Sequence, residues 1–160
     1  MAKRAGDGAS IPAWVWIGMG FVVVSFAGLW ALTGAAPMAG HSMTPPDTSA
    51  IAEGDPIVEV ALPTSFSDPE VLGRNAFDGL CAQCHGANAG GRNGIAPPLV
   101  HVIYEPSHHG DEAFWIATQQ GVRAHHWRFG NMPAIEGLTR ADVRNIVAYI
   151  RALQRENGIL

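Results

Sequence analysis

Cys81-Ala82-Gln83-Cys84-His85 is the stretch on which the reading of this 160-residue chain turns. Two thiols separated by two residues and followed at once by a histidine make the c-type haem attachment signature. On a helical turn such thiols reach the two vinyl groups of one porphyrin and form thioethers, and His85 is carried under the iron as proximal ligand. A zinc site needs a second ligand pair of similar spacing, and the chain holds no third cysteine. A thioredoxin-like pair needs a βαβ pattern around it, which is missing here. A disulfide between Cys81 and Cys84 is the competing reading that stays open.

An iron that only carries electrons takes a sixth ligand, and methionine opposite histidine raises its potential. Of five methionines, Met1 and Met19 lie before or within a long apolar run, and Met38 and Met43 lie in a Pro-rich stretch. Met132, in Asn131-Met132-Pro133, follows His85 by 47 residues and is the candidate. Pro133 stiffens the loop that would aim its sulfur. His125 and His126, near the same loop, are the competing distal ligands.

Around this pair the pattern is helical. Ser67-Asp68-Pro69-Glu70 opens a helix, with a capping side chain, Pro in the first turn and acids at the positive end. Val71, Leu72, Phe77 and Leu80 give it one apolar side. Residues 86–94, with four Gly and two Asn, predict a tight loop against a flat ligand. A second helix runs from Asp111 to Gln120 and stops at Gly121. Thr139 and Asp142 form the capping box of a last helix, on which Val143, Ile146, Val147, Ile150 and Leu153 recur at helical spacing. Arg140, Arg144, Arg151 and Arg155 read as its solvated face.

With these elements in order, the stretch from Asp68 to Gln154 resembles class I c-type cytochromes, monohaem and His/Met ligated. Gly73 and Phe77 match the small and aromatic residues that meet the C-terminal helix in that family. Pro97-x-Leu99 matches the segment whose Pro carbonyl accepts a hydrogen bond from the proximal histidine, here His85. Asn131-Met132-Pro133 matches the distal methionine loop. The resemblance implies an all-α class I cytochrome c fold, one covalent haem c on Cys81 and Cys84, iron between His85 and Met132, and Pro97 and Leu99 beside the haem. It implies an electron carrier and not an enzyme, because two axial ligands leave no open position for substrate.

Two His-rich segments depart from small carriers of that family, Ser107-His108-His109-Gly110 and Ala124-His125-His126-Trp127-Arg128-Phe129. Trp127 with Arg123 or Arg128 are the expected donors to the haem propionates, since buried carboxylates need partners. The histidines read first as a border of the haem crevice that tunes potential. The alternative is a copper site on His108, His109, His125 and His126, with Met38, His41 and Met43 as a soft outer site, which would make the chain a metal-binding or sensing module.

Residues 11–32 form 22 consecutive positions without a charge. As a helix they reach roughly 33 Å, enough to cross a bilayer core of about 30 Å. Trp14, Trp16 and Trp30 sit near the ends, as interfacial aromatics do. Lys3 and Arg4 precede the run, and residues 33–62 carry four acids and no Lys or Arg, so the N-terminus is expected in the cytoplasm. A cleaved signal, with an apolar core of about 7–15 residues, is the competing reading. Residues 37–67 contain five Pro and no Lys or Arg, and predict an extended tether reaching about 30 Å.

The expected organisation is therefore a cytoplasmic N-terminus at 1–10, a transmembrane anchor at 11–33, a linker at 34–67 and a haem domain at 68–160. The net charge of −4 argues against a nucleic-acid partner. The expected function is one-electron transfer on the periplasmic face of an inner membrane. Its expected partners are a quinol-cytochrome c reductase upstream and a terminal oxidase or other reductase downstream, with the lipid bilayer as a third. The alternative role is a fixed haem subunit of a larger oxidoreductase complex.

Overall fold

The computed structural model describes Pro12, residues 14–17 and residues 43–160, and divides the chain into two compact units, Met1–Gly40 and His41–Leu160. In the first unit, residues 14–17 are helical and the Val15 amide donates to the Pro12 carbonyl. Among the described residues no helix is long and apolar enough to cross a membrane; the apolar run 11–32 lies almost wholly outside them.

The second unit is helical. Helix α1 spans Asp68–Leu80, α2 Ala82–His85, α3 Asp111–Gln120 and α4 Arg140–Glu156, with 3-10 turns at Ala87–Ala89 and Val102–Tyr104. Its described residues form no strand, only the isolated bridges Arg92 to Ala96 and Val122 to Met132. Asp142 closes the capping box that the sequence predicts, and Glu70, expected only as an acid at the positive helix end, closes a second one. Glu70 Oε2 accepts from the Ser67 amide at 2.8 Å, and Asp142 Oδ2 accepts from the Thr139 amide at 2.9 Å. Desolvation pushes the Glu70 carboxyl up, but the Ser67 hydrogen bonds and the Arg155 guanidinium outweigh it and hold it below its ordinary value.

α1 and α4 pack through a narrow line. On α1 only Gly73 and Phe77 are buried, one turn apart, while Val71, Leu72 and Leu80 are exposed. The expected broader apolar side is corrected by geometry, for at about 100° per residue Val71 stands on the far side of the helix from Gly73. Gly73 sits so close to the α4 backbone at Asn145 that a Cβ there would overlap the Asn145 carbonyl. Around this contact, Val143, Ile146, Val147, Ile150 and Leu153 are all buried, joined by Tyr149. The Tyr149 ring lies 5.5 Å from Phe66 and 5.7 Å from Phe77, and its hydroxyl donates to Asn88 Oδ1 at 3.2 Å. Each such aromatic pair adds about 0.5–1.5 kcal/mol beyond area burial.

The arginines of α4 do not share one face. Arg140 forks onto Glu112 in solvent and Arg155 meets Glu70, whereas Arg151 is buried. Its Nε donates to Asp111 Oδ1 at 2.9 Å and its Nη1 to the Tyr104 carbonyl at 2.8 Å and to Gln154 Oε1 at 2.6 Å, while Nη2 donates to the His109 carbonyl. One guanidinium thus ties the segment before α3 to the last helix.

Of the stretch read as a tether, residues 34–42 lie outside the described residues, and from Met43 onward the chain runs along the helical body. The Ile57 and Val58 amides both donate to the Gly90 carbonyl. Asn93 Nδ2 donates to the Thr48 and Ile51 carbonyls, and Asn157 bonds both the amide and the carbonyl of Ala61. The reach of about 30 Å for a free chain therefore does not apply to residues hydrogen-bonded in this way.

Candidate haem-binding site

The attachment motif sits at the junction of α1 and α2. The Cys81 amide bonds the Phe77 carbonyl at 2.8 Å, and the His85 amide bonds the Cys81 carbonyl at 2.9 Å, so one continuous turn carries Cys81, Cys84 and His85. Both thiols are free; Cys81 is half-buried and Cys84 exposed. Burial, and secondarily the neighbouring Cys84, push the Cys81 thiol up to about 11.

His85 is oriented from behind. Its Nδ1 lies 2.9 Å from the Pro97 carbonyl, the hydrogen bond that the Pro97-x-Leu99 resemblance implies. With Nδ1–H donating there, Nε2 keeps its lone pair, the arrangement that raises a ligating imidazole's basicity. Burial nonetheless lowers the His85 pKa, against the opposing pull of the Pro97 carbonyl. The loop that returns Pro97 to His85 depends on glycine. Gly86 and Gly91 both have positive φ, 75° and 77°, and a Cβ on either would press into the Gly91 or Pro98 backbone. Leu99 is half-buried against the core, its amide bonded to the Ala89 carbonyl and its carbonyl to Gln154 Nε2.

Met132 is held by its backbone, which exchanges two hydrogen bonds with Val122 at 2.9 and 3.0 Å just past α3. Gly121, at φ 71°, admits that approach, since a Cβ would meet the Met132 carbonyl. Asn131 Oδ1 closes the loop onto the Ala124 amide at 3.0 Å. The loop between Val122 and Met132 carries Arg123, His125, His126, Trp127 and Arg128. Arg123 and Arg128 are exposed. Trp127 is buried, stacked on Phe129 with His101 at its edge, and its Nε1 is a buried donor without a hydrogen-bond partner. The nearby Tyr104 phenol, not singled out from the sequence, is pushed up by burial, and the Trp127 indole opposes this only in part, without hydrogen-bond geometry.

Residues 71–154 match the Cytochrome c family model. The chain belongs to the cytochrome c family. No curated protein and no solved structure matches it. Family membership implies a haem c held covalently at Cys81 and Cys84, electron transfer as the chemistry, and an extracytoplasmic haem domain. The residues of this cytochrome c fit that group on their own terms. Two free thiols share one turn, the adjoining imidazole has its rear nitrogen occupied and its front nitrogen free, and a buried indole N–H lacks an acceptor. A groove between α3 and α4, lined by Asp111, Trp115, Arg140 and Val147, includes none of these residues.

Four histidines meet elsewhere in the unit. His108 Nε2 lies 3.3 Å from His126 Nε2, and the His109 and His125 rings stand beside them. Sequence alone left open whether the two His pairs approach each other; the loops before α3 and before Met132 bring them together. His41 and Met38, read as a soft outer site, lie outside the described residues, and of that trio only Met43 falls within them.

Proposed function

We propose that this protein is a membrane-tethered, monohaem, one-electron carrier with His85 and Met132 as axial ligands. The observation that carries the reading is the His85 bond to Pro97, which occupies Nδ1 and leaves Nε2 for a metal on the turn that also carries the two thiols. When bound, the haem iron exchanges single electrons between its ferrous and ferric states. The chain's own part is to hold that iron and tune it. His85 is kept in one tautomer by Pro97, and Met132 is presented on a segment pinned to Val122. Trp127 Nε1, joined by Arg123 or Arg128, offers donors to the propionates.

If both axial positions are filled, no site remains for a substrate, and the chain passes electrons without an enzyme's chemistry. The partners that suit it are a quinol-cytochrome c reductase and a terminal oxidase or other reductase in the same membrane. Residues 33–160 carry 13 acidic and 8 basic side chains, so partner surfaces with basic residues would attract it.

Met132→Ala in the haem-loaded protein is expected to change both ferric and ferrous absorption spectra and to lower the potential by on the order of 0.1–0.3 V, within the roughly 0.8 V that axial ligands span. Unchanged spectra would make a histidine the sixth ligand. For the anchor at 11–33, alkaline carbonate washing of membranes from cells making the full chain should leave the haem protein in the pellet. Release into the supernatant, with a mass lacking the first 30 or so residues, would instead mean a cleaved signal.

A further inference from the structure

We infer that His108, His109 and His126 form a second metal site, separate from the haem ligands, for a divalent first-row transition ion, copper(II) bound most tightly and zinc(II) next. The ligating nitrogens of these three side chains all lie within 4.8 Å of one another. The His108 Nε2 to His126 Nε2 separation of 3.3 Å matches the edge of a tetrahedron with metal–nitrogen bonds of about 2.0–2.1 Å. Two rings already stand where ligands of one ion would stand.

The third is held ready. His109 Nδ1 lies 2.7 Å from the Ile103 carbonyl, so Nε2 is the nitrogen left for a metal. Beside them, His125 Nδ1 lies 3.0 Å from the Arg123 carbonyl. Backbone carbonyls behind ligating imidazoles are the usual outer support of metal sites. Arg151 secures the same loop, donating to the His109 carbonyl.

The donor set selects the ion. Three imidazoles without an acidic side chain among them suit copper, zinc or nickel and not magnesium or calcium, and affinity rises to copper(II) along the first-row series. Three protein ligands also leave a fourth position for water or another donor, with the His125 ring 4.4 Å from that of His126. An ion here would join the segment before α3 to the loop that leads, six residues later, into Met132.

The inference rests on the proposed reading in one respect, that Met132 and not His126 is the sixth haem ligand; Met132→Ala spectra test that reading, and metal binding to the haem-loaded chain tests the site. Equilibrium dialysis of the haem-loaded full chain against Cu2+ or Zn2+, with metal counted per haem, tests it. One equivalent should bind with a dissociation constant below about 1 µM, copper more tightly than zinc. His108→Ala with His126→Ala should weaken binding by about 100-fold or more with the haem spectrum unchanged. Zn2+ should slow hydrogen exchange over residues 104–110 and 122–132 of the unsubstituted protein, a readout that stands even if the double variant fails to fold. Binding weaker than about 10 µM, equal binding by a folded double variant, or unaltered exchange in those segments would overturn the site.

Discussion

Gly73→Ala is expected to destabilise the haem domain by about 3–5 kcal/mol, at the upper end of single-substitution effects. The added methyl would fall on the carbonyl oxygen and carbon of Asn145 and press on the Ile146 amide. These are backbone atoms inside a 17-residue helix and cannot swing aside as the tip of a flexible side chain can. α1 and α4 would have to separate, opening the interface where Phe77, Ile146, Tyr149 and Ile150 are buried. Complete burial of one such side chain contributes about 1.5–3 kcal/mol, and a partial loss from several of them reaches the stated range. Gly79→Ala is the control on the same helix. Nothing lies within 4 Å of a Cβ at Gly79, and alanine is the better helix former there by about 0.5–1 kcal/mol. Denaturant unfolding of the haem-loaded variants should therefore move in opposite directions. If Gly73→Ala cost less than about 1 kcal/mol, the helix crossing would not be as close as described.

How far the sequence could be read depends on whether the deciding partner lies near or far along the chain. The attachment motif, the Ser67 and Thr139 helix starts and the span of α3 are local features, and each was legible because its cause sits within a few residues. Residues 43–67 show the opposite case. Five prolines and many small residues between 37 and 67 suggest an extended tether, yet the bonds that lay it down come from Gly90, Asn93 and Asn157. No local composition announces a partner 32 to 96 residues away. The histidines lie between these cases. Two His pairs in two loops were visible, but their meeting depends on where α3 places its ends. Arg151 carried a signal that charge alone obscured. It stands four residues after Val147 and eight after Val143, on the apolar line of α4, and only its side-chain type suggested solvent.

That misread arginine leads to the other large effect. Arg151→Ala is expected to cost about 2–4 kcal/mol, from lost charge-assisted hydrogen bonds and the lost packing of its stem. The Asp111 partner contributes little, because its carboxylate is 72 % exposed and returns to water. The backbone carbonyls matter more. Tyr104 keeps a second donor in Gln154 Nε2 at 3.0 Å, but the part-buried His109 carbonyl has no other donor among the hydrogen bonds of this segment, and Gln154 Oε1 loses a contact of 2.6 Å. The guanidinium also lies 5.1 Å from the centre of the Phe114 ring, a contact that alanine removes entirely. Arg151→Lys should recover less than half of the loss, since one ammonium cannot span acceptors placed for a planar fork. Because the clamp holds the segment from Tyr104 to Asp111, its removal should raise hydrogen exchange there more than in α1. It should also weaken metal binding at His108, His109 and His126 without touching a ligand. A uniform loss of stability, with exchange in that segment no faster than elsewhere and metal affinity intact, would reduce Arg151 to an ordinary core residue and separate the histidine site from the last helix.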